Sequence, residues 1–372
     1  MKFAIDRDVF LGVLKCVDGV CPPKGSFVSL ACCHIEATNN KIVVTGTDLE
    51  LTLRIVEQAT VMEEGKAIIP SHQLLEIVQS QPGGAQVLIS TEGTSTIITS
   101  GNFKSRLSSM DIFEYPQIQN LDAETCLKVS ALEFKKLINK TRFCISKDST
   151  RQEFTGVSMR VSQNGCVQMA STDGHRLSCV ETTATICGTL SSRLEKGIIL
   201  PQKALNEFTK FITDGGDIEF GVDSAEKKIL VRMGNMTYFA TRIEGEFPDF
   251  SKVIPPRFDH KAIISREAFL QILNRASIFT NRNLNTVKLV LSSGRVEISA
   301  YDQTRGEMND YIDADYEGAG VTAGFNQSYV ADILKVIDGD YISFEIIDMD
   351  SPVLIRDTSC DKYDFIVMPM QL

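Results

Sequence analysis

Ser171-Thr172-Asp173 ends an apolar stretch in the middle of the chain, and close counterparts stand at Gly46-Thr47-Asp48 and Ala300-Tyr301-Asp302. The three segments are roughly 125 to 130 residues apart, which is a common size for one domain. Recurrence at a fixed period is the sequence signature of repeated architecture. The 372-residue chain is therefore expected to contain three homologous domains.

Other landmarks recur in the same order and support the three repeats. One is an apolar residue, an N-cap residue and then a Phe, and it reads Ile5-Asp6 with Phe10, Val129-Ser130 with Phe134, and Ile264-Ser265 with Phe269. Another is an apolar strand that enters a helix and ends in a Gly turn, at Ile69-Pro70, Leu200-Pro201 and Phe325-Asn326. These landmarks predict domains at 1–120, 121–252 and 253–372.

Each repeat carries two stretches with apolar residues at helical spacing, and short alternating stretches fill the rest. The predicted helices are 6–18, 71–80, 130–146, 202–214, 265–282 and 327–338. The order is a strand, a helix and three strands, and then the same again. The pattern predicts an α+β fold with two helices and about eight strands in each domain.

The charge distribution is uneven. The chain has 38 Lys and Arg against 48 Asp and Glu, a net charge of -10, and this bulk value argues against a nucleic-acid binder. The six predicted helices carry about as many basic as acidic residues, so the negative charge lies mostly elsewhere. Helix 130–146 is the most basic, with Lys135, Lys136, Lys140 and Arg142. Its polar face fits either simple solvation or contact with DNA.

Nothing in the composition indicates a cofactor or a metal site. The 10 cysteines include no CxxC pair and are expected to be small buried hydrophobes in a reducing compartment. The N-terminus MKFAIDRDVF lacks the apolar core of a signal peptide. No run of eighteen apolar residues occurs. We expect a cytoplasmic protein.

Three domains in one chain suggest how a ring could form. If six domains close with their helices inside, two chains are required. Twelve helices, each about 10 Å wide, give a circumference near 120 Å and an opening of roughly 25–30 Å. Such an opening admits duplex DNA and allows a topological grip without reading of sequence.

Several motifs resemble the bacterial sliding clamps, the β subunits of DNA polymerase III. Thr172 to Leu177 reads TDGHRL, Gly245 to Phe250 reads GEFPDF, Gly324 to Tyr329 reads GFNQSY, and the chain ends in VMPMQL. These segments are similar to the family's TDGHRL, GxFPDY, GFNxSY and VMPMRL. The resemblance spans all three repeats. It implies three tandem DNA-clamp domains, a head-to-tail dimer forming a closed six-domain ring, and a processivity factor without catalytic activity.

The resemblance also implies a cleft that binds short peptides of partner proteins. Those partners would be the DNA polymerase III catalytic subunit, the clamp loader, and other polymerases and repair proteins. The cleft residues carried over to this sequence are Phe154, Thr172, Gly174, His175, Arg176, Leu177, Pro248, Val253, Asn326, Tyr329, Ile366, Met368, Pro369, Met370 and Leu372. A Met-lined groove suits varied apolar anchors. Without the resemblance, the Met368-Pro369-Met370 segment would fit equally well as the end of a final strand whose side chains fill a hydrophobic core.

Contacts to DNA and between subunits follow from the resemblance and from the basic residues. The expected DNA-binding residues are Lys24, Lys135, Lys136, Lys140, Arg142, Lys147, Arg151, Gln152 and Lys203. The expected dimer interface holds Leu107 in an edge strand, and Ile278 and Phe279 after a helix. Pairing edge strands between chains would cover edges that are otherwise exposed.

Two other functions compete with this interpretation. Asp173 and His175 are close enough in sequence for an acid–base pair, but no GxSxG, P-loop, Rossmann or HExxH motif accompanies them. Asp48 and Asp302 occupy the same repeat position without a neighbouring His, which favours a turn role for the Asp. A repeat scaffold that binds only proteins would also suit the acidic composition.

Overall fold

The computed structural model describes residues 1–22, 27–116, 123–212, 215–281 and 284–372. Within these residues the chain forms seven α-helices and 26 strands in an α+β arrangement. No helix among them has the length and apolarity needed to cross a membrane.

The third repeat follows the predicted order of elements, the first adds one short strand, and the middle adds one short strand and one short helix. The first holds α1 Arg7–Asp18 and α2 Ser71–Gln79, with strands β1 Lys2–Asp6, β2 Cys32–Thr38, β3 Lys41–Thr47, β4 Leu51–Gln58, β5 Thr60–Glu63, β6 Gly65–Pro70, β7 Gln86–Glu92, β8 Ser95–Ser100 and β9 Phe103–Ser108. The middle holds α3 Ala131–Thr141, α4 Ser192–Lys196 and α5 Gln202–Phe211, with β10 Ala123–Ser130, β11 Gly156–Val161, β12 Cys166–Thr172, β13 Arg176–Thr183, β14 Thr185–Ile186, β15 Ile198–Pro201, β16 Asp217–Asp223, β17 Lys228–Met233 and β18 Met236–Thr241. The third holds α6 Arg266–Ala276 and α7 Gln327–Val336, with β19 His260–Ser265, β20 Thr286–Ser292, β21 Arg295–Asp302, β22 Gly306–Asp315, β23 Val321–Asn326, β24 Tyr341–Ile346, β25 Val353–Asp357 and β26 Cys360–Val367.

The chain forms two compact units, and the middle repeat contributes segments to both. One unit comprises 1–132, 184–191 and 203–242, and the other comprises 133–183, 192–202 and 243–372. The predicted boundaries between the three repeats stay a prediction, since residues 117–122 lie outside the described part of the chain.

In the first unit, a five-stranded sheet runs β5-β1-β7-β8-β9 and a nine-stranded sheet runs β14-β10-β16-β17-β18-β4-β3-β2-β6. The larger sheet joins two repeats, because β18 of the middle repeat pairs antiparallel with β4 of the first. Buried Leu51 and Leu53 stand opposite Ala240 and Tyr238 there. Burial of such side chains contributes about 1.5–3 kcal/mol each.

In the second unit, a twelve-stranded sheet runs β15-β11-β12-β13-β26-β25-β24-β19-β22-β21-β20-β23. Here β26 of the third repeat pairs antiparallel with β13 of the middle repeat, so the junction has the same construction as the first. The last strand of one repeat thus continues the sheet of the repeat before it.

The predicted helices are confirmed, but two of them end earlier than expected. Helix α3 ends at Thr141, whose hydroxyl donates to the carbonyl oxygens of Leu137 and Ile138, and a 3-10 turn follows. Helix α6 ends at Ala276, although Ile278 and Phe279 extend its apolar spacing. Apolar periodicity alone therefore overran both ends. The short α4 was not predicted, because a five-residue helix carries no periodic signal.

Six of the cysteines are buried: Cys21, Cys32, Cys33, Cys126, Cys144 and Cys179. Burial raises the pKa of the Cys16 and Cys32 thiols to about 11 and raises the pKa of Cys144 as well. A thiol with a raised pKa is a poor nucleophile. Cys187 is exposed.

We expect Asp6→Ala to lower the free energy of unfolding by about 1 kcal/mol. The Asp6 carboxylate caps α1, accepting hydrogen bonds from the backbone N–H groups of Asp8 and Val9. The matched control is Ser265→Ala at the same position of α6, where no side-chain capping bond forms. Urea unfolding of both variants measures the difference, and equal losses would contradict the capping role.

Candidate functional site

The loop between β12 and β13 is a tight turn built around Asp173. One carboxylate oxygen accepts the N–H groups of His175 and Arg176, each at 3.0 Å. The Thr172 hydroxyl donates to the Arg176 carbonyl oxygen at 2.7 Å and accepts the Gly174 N–H at 3.0 Å. Gly174 has a φ of +89°, a conformation that favours glycine. The turn exposes Gly174 and His175 to solvent.

Arg176 organises the residues beneath this loop. Its guanidinium donates to Asp173 at 3.0 Å, to Asp332 of α7 at 2.9 Å and to the Phe143 carbonyl oxygen at 2.8 Å. It also lies over the Tyr329 ring, 4.5 Å from the centroid. The planar, forked group serves all these contacts, which a lysine could not. Arg176 is therefore a structural hub of the site.

The C-terminal segment lies beside the loop. The Met368 N–H donates to the His175 carbonyl oxygen at 2.8 Å, which extends the pairing of β26 with β13. The Met370 N–H then donates to the Gly324 carbonyl oxygen at 2.8 Å. A Cβ at Gly324 would stand 2.7 Å from the Met370 carbonyl oxygen, so the position requires glycine. Met368, Pro369 and Met370 stay partly exposed.

Asn326 and Tyr329 form the start of α7 at the same place. The Asn326 side chain caps α7 through the N–H groups of Ser328 and Tyr329 and donates to the Leu284 carbonyl oxygen. It is 9% exposed, so it shapes the site from within. The His175 and Tyr329 rings stack with centroids 6.1 Å apart. Burial raises the pKa of the Tyr329 hydroxyl.

An apolar floor continues the site toward the segment after β18. Leu177, Ile366 and Phe250 belong to one buried cluster, against which Phe247 packs. Phe154 lies 6.1 Å from Phe247, and the Arg151 guanidinium lies 5.6 Å from the Phe154 ring. Val253 is 41% exposed. Ile366 is fully buried, so its expected direct contact with a peptide is wrong, and it supports the floor instead.

The Asp173 loop, Tyr329 and residues between 143 and 154 line an open pocket of about 820 Å³, and the Met368–Met370 segment is not part of its lining. Five of the predicted cleft residues line it: Phe154, Gly174, His175, Arg176 and Tyr329. Phe143, Ile145 and Asp173 also line the pocket and were not predicted there, and the contact of Asp332 with Arg176 was not predicted either. Asp173 had been noted only as a turn residue. Phe143 and Ile145 belong to the 3-10 turn after α3, and Asp332 lies on α7; the direction of these residues toward the site has no sequence signal.

The residues expected at DNA have varied surroundings. Arg142, Lys147, Arg151 and Gln152 are exposed. Lys135 and Lys136 are half-buried, and Lys136 pairs with Glu133 at 2.9 Å. Lys203 forms an ion pair with Asp48 while 54% of its side chain stays exposed. Lys24 lies outside the described residues.

Lys140 is a correction to the expected DNA surface. Its ammonium group donates to the Val336 carbonyl oxygen, pairs with Asp338 at 2.9 Å and lies 4.7 Å from the centre of the Tyr363 ring. Only 4% of the side chain is exposed. Lys140 lies on the inward face of α3, so its positive charge is compensated within the protein and does not face solvent.

The residues expected at the dimer interface are accessible in the chain described here. Leu107 is half-buried in β9, which forms one edge of the five-stranded sheet. Ile278 is 62% exposed after the end of α6, and Phe279 is partly buried.

The three Asp loops share one turn geometry. Asp48 accepts the N–H groups of Glu50 and Leu51, and Asp302 accepts those of Thr304 and Arg305, as Asp173 does in its own loop. Both Asp173 oxygens are held by such bonds and by Arg176, an arrangement that suits a turn better than a general base. The described residues contain no group of three or more His, Cys, Asp or Glu placed to hold a metal ion.

Comparison with known proteins decides the family. Profiles of the N-terminal, central and C-terminal domains of the DNA polymerase III beta subunit match residues 1–119, 128–249 and 251–371. The chain belongs to the DNA polymerase III beta subunit family. The three matches follow one another along nearly the whole chain, as the three repeats do.

Individual relatives agree with the family over their whole length. The beta sliding clamp of Staphylococcus epidermidis is 28% identical, with 100% of this chain and 99% of the relative aligned. That of Pseudomonas putida is 26% identical over 100% of both. The crystal structure of the DNA polymerase III subunit beta from Pseudomonas aeruginosa covers 100% of both chains with a TM-score of 0.94 at 25% identity, and the Caulobacter crescentus pol III beta gives 0.92 at 26%.

We expect Arg176→Met to lower the free energy of unfolding by about 2–3 kcal/mol, because it leaves Asp173 and Asp332 without their cation. The control is Arg232→Met, which removes an ion pair to Glu219 whose side chains are each about 40% exposed or more. That loss should stay below about 1 kcal/mol. Denaturant titration compares them, and a loss at Arg176 no larger than at Arg232 would rule out the hub.

Proposed function

We propose that this protein is a sliding clamp of chromosomal replication. A dimeric ring encircles duplex DNA without sequence specificity and tethers DNA polymerase III through the peptide cleft, which confers processivity. The protein performs no catalysis itself. The observation that carries the proposal is the repeated strand pairing, β18 with β4 and β26 with β13. Two strands keep an open side of the same kind: β9 is an edge strand, and β22 pairs with β21 along 306–313 but with β19 only at Ala314 and Asp315.

A second copy of the chain can pair these two open sides. By repeat position, β9 corresponds to β18 and β26, and β22 corresponds to β4 and β13. One further junction of the same construction, from β9 of one chain to β22 of its partner, extends the series. Two such junctions close a head-to-tail ring of six domains in which neither side remains open.

The internal junction gives the register of this pairing. The turns Gly101-Asn102 and Gly234-Asn235 place Arg106 at the position of Phe239, which pairs with Thr52. Thr52 pairs with Thr47, as Glu307 pairs with Tyr301 at the same repeat position. Arg106 of one chain therefore stands opposite Glu307 of the next, and Leu107 stands opposite Gly306.

The side chains suit that register. Leu107 and the 38% exposed Phe103 point to the same side of β9, and Ile278 supplies apolar surface at the end of α6. Arg106 already reaches Glu92 at 3.1 Å, but both side chains are 60% exposed. Its guanidinium can therefore serve a second carboxylate across the interface.

For DNA, we propose a weak, sequence-independent contact with phosphates. The candidate residues are Lys24, Lys135, Lys136, Arg142, Lys147, Arg151, Gln152 and Lys203. Lysine and arginine at the inner surface would screen phosphate charge, while the closed ring supplies retention. The excess of acidic residues behind the net charge of -10 would then lie mainly on the other surfaces of the ring.

For partner proteins, we propose that the pocket around His175 and the Met368–Met370 segment binds short linear peptides. The clamp loader, other polymerases and repair proteins would use it in turn, besides the DNA polymerase III catalytic subunit. Phe154, Pro248 and Val253 supply apolar contact above the buried Leu177, and Thr172 with exposed backbone groups would fix the peptide chain. Leu372, also expected in the cleft, lies instead beside Thr286 and Lys288.

Reversal of one interface charge should weaken the dimer. Arg106→Glu places two carboxylates opposite each other at both junctions, and each junction loses about 1 kcal/mol. The dimer dissociation constant should rise about thirtyfold, and Glu307→Arg in the same chain should restore it. Sedimentation measures the constants. Loss in the single variant without recovery in the double would refute the register.

Retention on DNA tests the ring itself. Protein loaded by its clamp loader onto nicked circular DNA should stay bound at high salt, and it should leave when a restriction enzyme linearises the circle. Topological linkage is insensitive to salt, whereas phosphate contacts weaken steeply. Gel filtration separates bound from released protein. Equal retention on circular and linear DNA would contradict an encircling clamp.

A further inference from the structure

In each repeat, the sheet beside the Asp loop has an outer face, on the side away from the helices. Equivalent residues on this face can be identified in the three repeats, because the strands pair in the same register. His34, Ser158 and Lys288 correspond, since each pairs with the residue three positions before the first residue of a helix, at Ile68, Ile199 and Gly324. An isolated bridge repeats at the same three places, to Met110, Ile243 and Met370.

In the first repeat, an aromatic ring from the segment after β9 covers this face. Tyr115 packs with Cys32, stacks on His34 with centroids 5.8 Å apart, and donates its hydroxyl to the Thr45 carbonyl oxygen at 3.3 Å. A Pro follows the ring at Pro116. The Tyr115 ring is only 7% exposed, so a segment of the same chain covers this face.

In the middle repeat, the segment after β18 does the same with two phenylalanines. Phe247 and Phe250 lie against the cluster that contains Ala170 and Leu177. The Arg160 guanidinium lies 5.2 Å from the centre of the Phe250 ring, so in this repeat a cationic side chain accompanies the aromatic cover. Phe247 also precedes a Pro.

In the third repeat, the corresponding face holds a pocket of about 390 Å³. Thr286, Lys288 and Ser299 line it, and these occupy the positions of Cys32, His34 and Thr45, the three residues that Tyr115 touches. Ala300, Tyr301, Glu307, Asn309 and Leu372 complete the lining, and Tyr301 is 68% exposed. Glu307 is also the residue placed opposite Arg106 of the next chain in the proposed dimer, so the pocket borders that junction. Among the described residues, no aromatic ring from a following segment lies in this pocket.

We propose that this pocket of the third repeat binds, in trans, a linear peptide of a partner protein that carries an aromatic residue followed by Pro. The peptide ring would lie over Lys288 as Tyr115 lies over His34, with Tyr301 and Leu372 as apolar walls. The cation–π contact and the burial of one ring supply the attraction. This binding site differs from the cleft around His175 and does not require it.

The probe for the test is a labelled peptide that copies residues 246–254, EFPDFSKVI, the segment that covers the equivalent face of the middle repeat. A photoreactive phenylalanine replaces the first Phe, and mass spectrometry locates the cross-links on the full-length protein. We expect cross-links to residues 286–301. Fluorescence anisotropy should show affinity about tenfold weaker for Tyr301→Ala and for Lys288→Glu.

Two variants serve as controls. Tyr341→Ala removes another tyrosine that is 55% exposed and should leave affinity unchanged. His175→Ala alters the proposed cleft and should also leave it unchanged, which separates this site from the cleft. The proposal is overturned if cross-links fall only on residues 154–177, if Tyr301→Ala binds as the unaltered protein does, or if Tyr301→Ala instead changes the mass in solution.

Discussion

Antiparallel pairing between the last strand of one repeat and a strand of the repeat before it is the interaction on which the structure depends. It occurs at β18 with β4 and at β26 with β13. Each pairing satisfies backbone groups that would otherwise form an open edge, and it merges sheets of two repeats into one. The apolar residues behind the first junction, including Leu53 and Tyr238, are buried by the same pairing.

The proposed functional sites follow from these junctions. At the second junction, β26 carries Met368 to the carbonyl oxygen of His175, so the Asp173 loop and the C-terminal segment become neighbours. Arg176 then ties the loop to α7 through Asp332. The candidate cleft is thus a product of repeat joining. A second chain would continue the same construction at the edge strand β9 and at the open side of β22 along 306–313.

Much of this was available from sequence because repeats give every signal three times. The Asp loops, the helix starts at Asp6 and Asn326 and the order of strands are local features with local causes. Helix ends were harder, since Ile278 and Phe279 continue an apolar period beyond the turn that ends α6. The prediction that Lys140 contacts DNA rested on the basic residues of α3. A sequence does not reveal that this side chain points inward, to Asp338 and Tyr363.

The contacts that no pattern predicted are long-range ones. Asp332 reaches Arg176 across 156 positions of sequence, and Phe143 offers only a backbone oxygen. The difference between the repeats is equally invisible in a single copy. His34 and Lys288 become comparable only after strand register aligns them, and only then does the uncovered face of the third repeat stand out against Tyr115 and Phe247.

Hydrogen–deuterium exchange at residues 103–108 shows whether a second chain pairs with the outer edge of β9, and residues 236–241 of the same protein serve as the internal reference. Both segments are the last strand of a repeat, and β18 is paired on both sides within the chain. At micromolar concentration, we expect β9 to exchange about as slowly as β18, because a partner chain pairs with its outer edge. Rapid exchange along β9 with slow exchange along β18 would contradict closure of the ring.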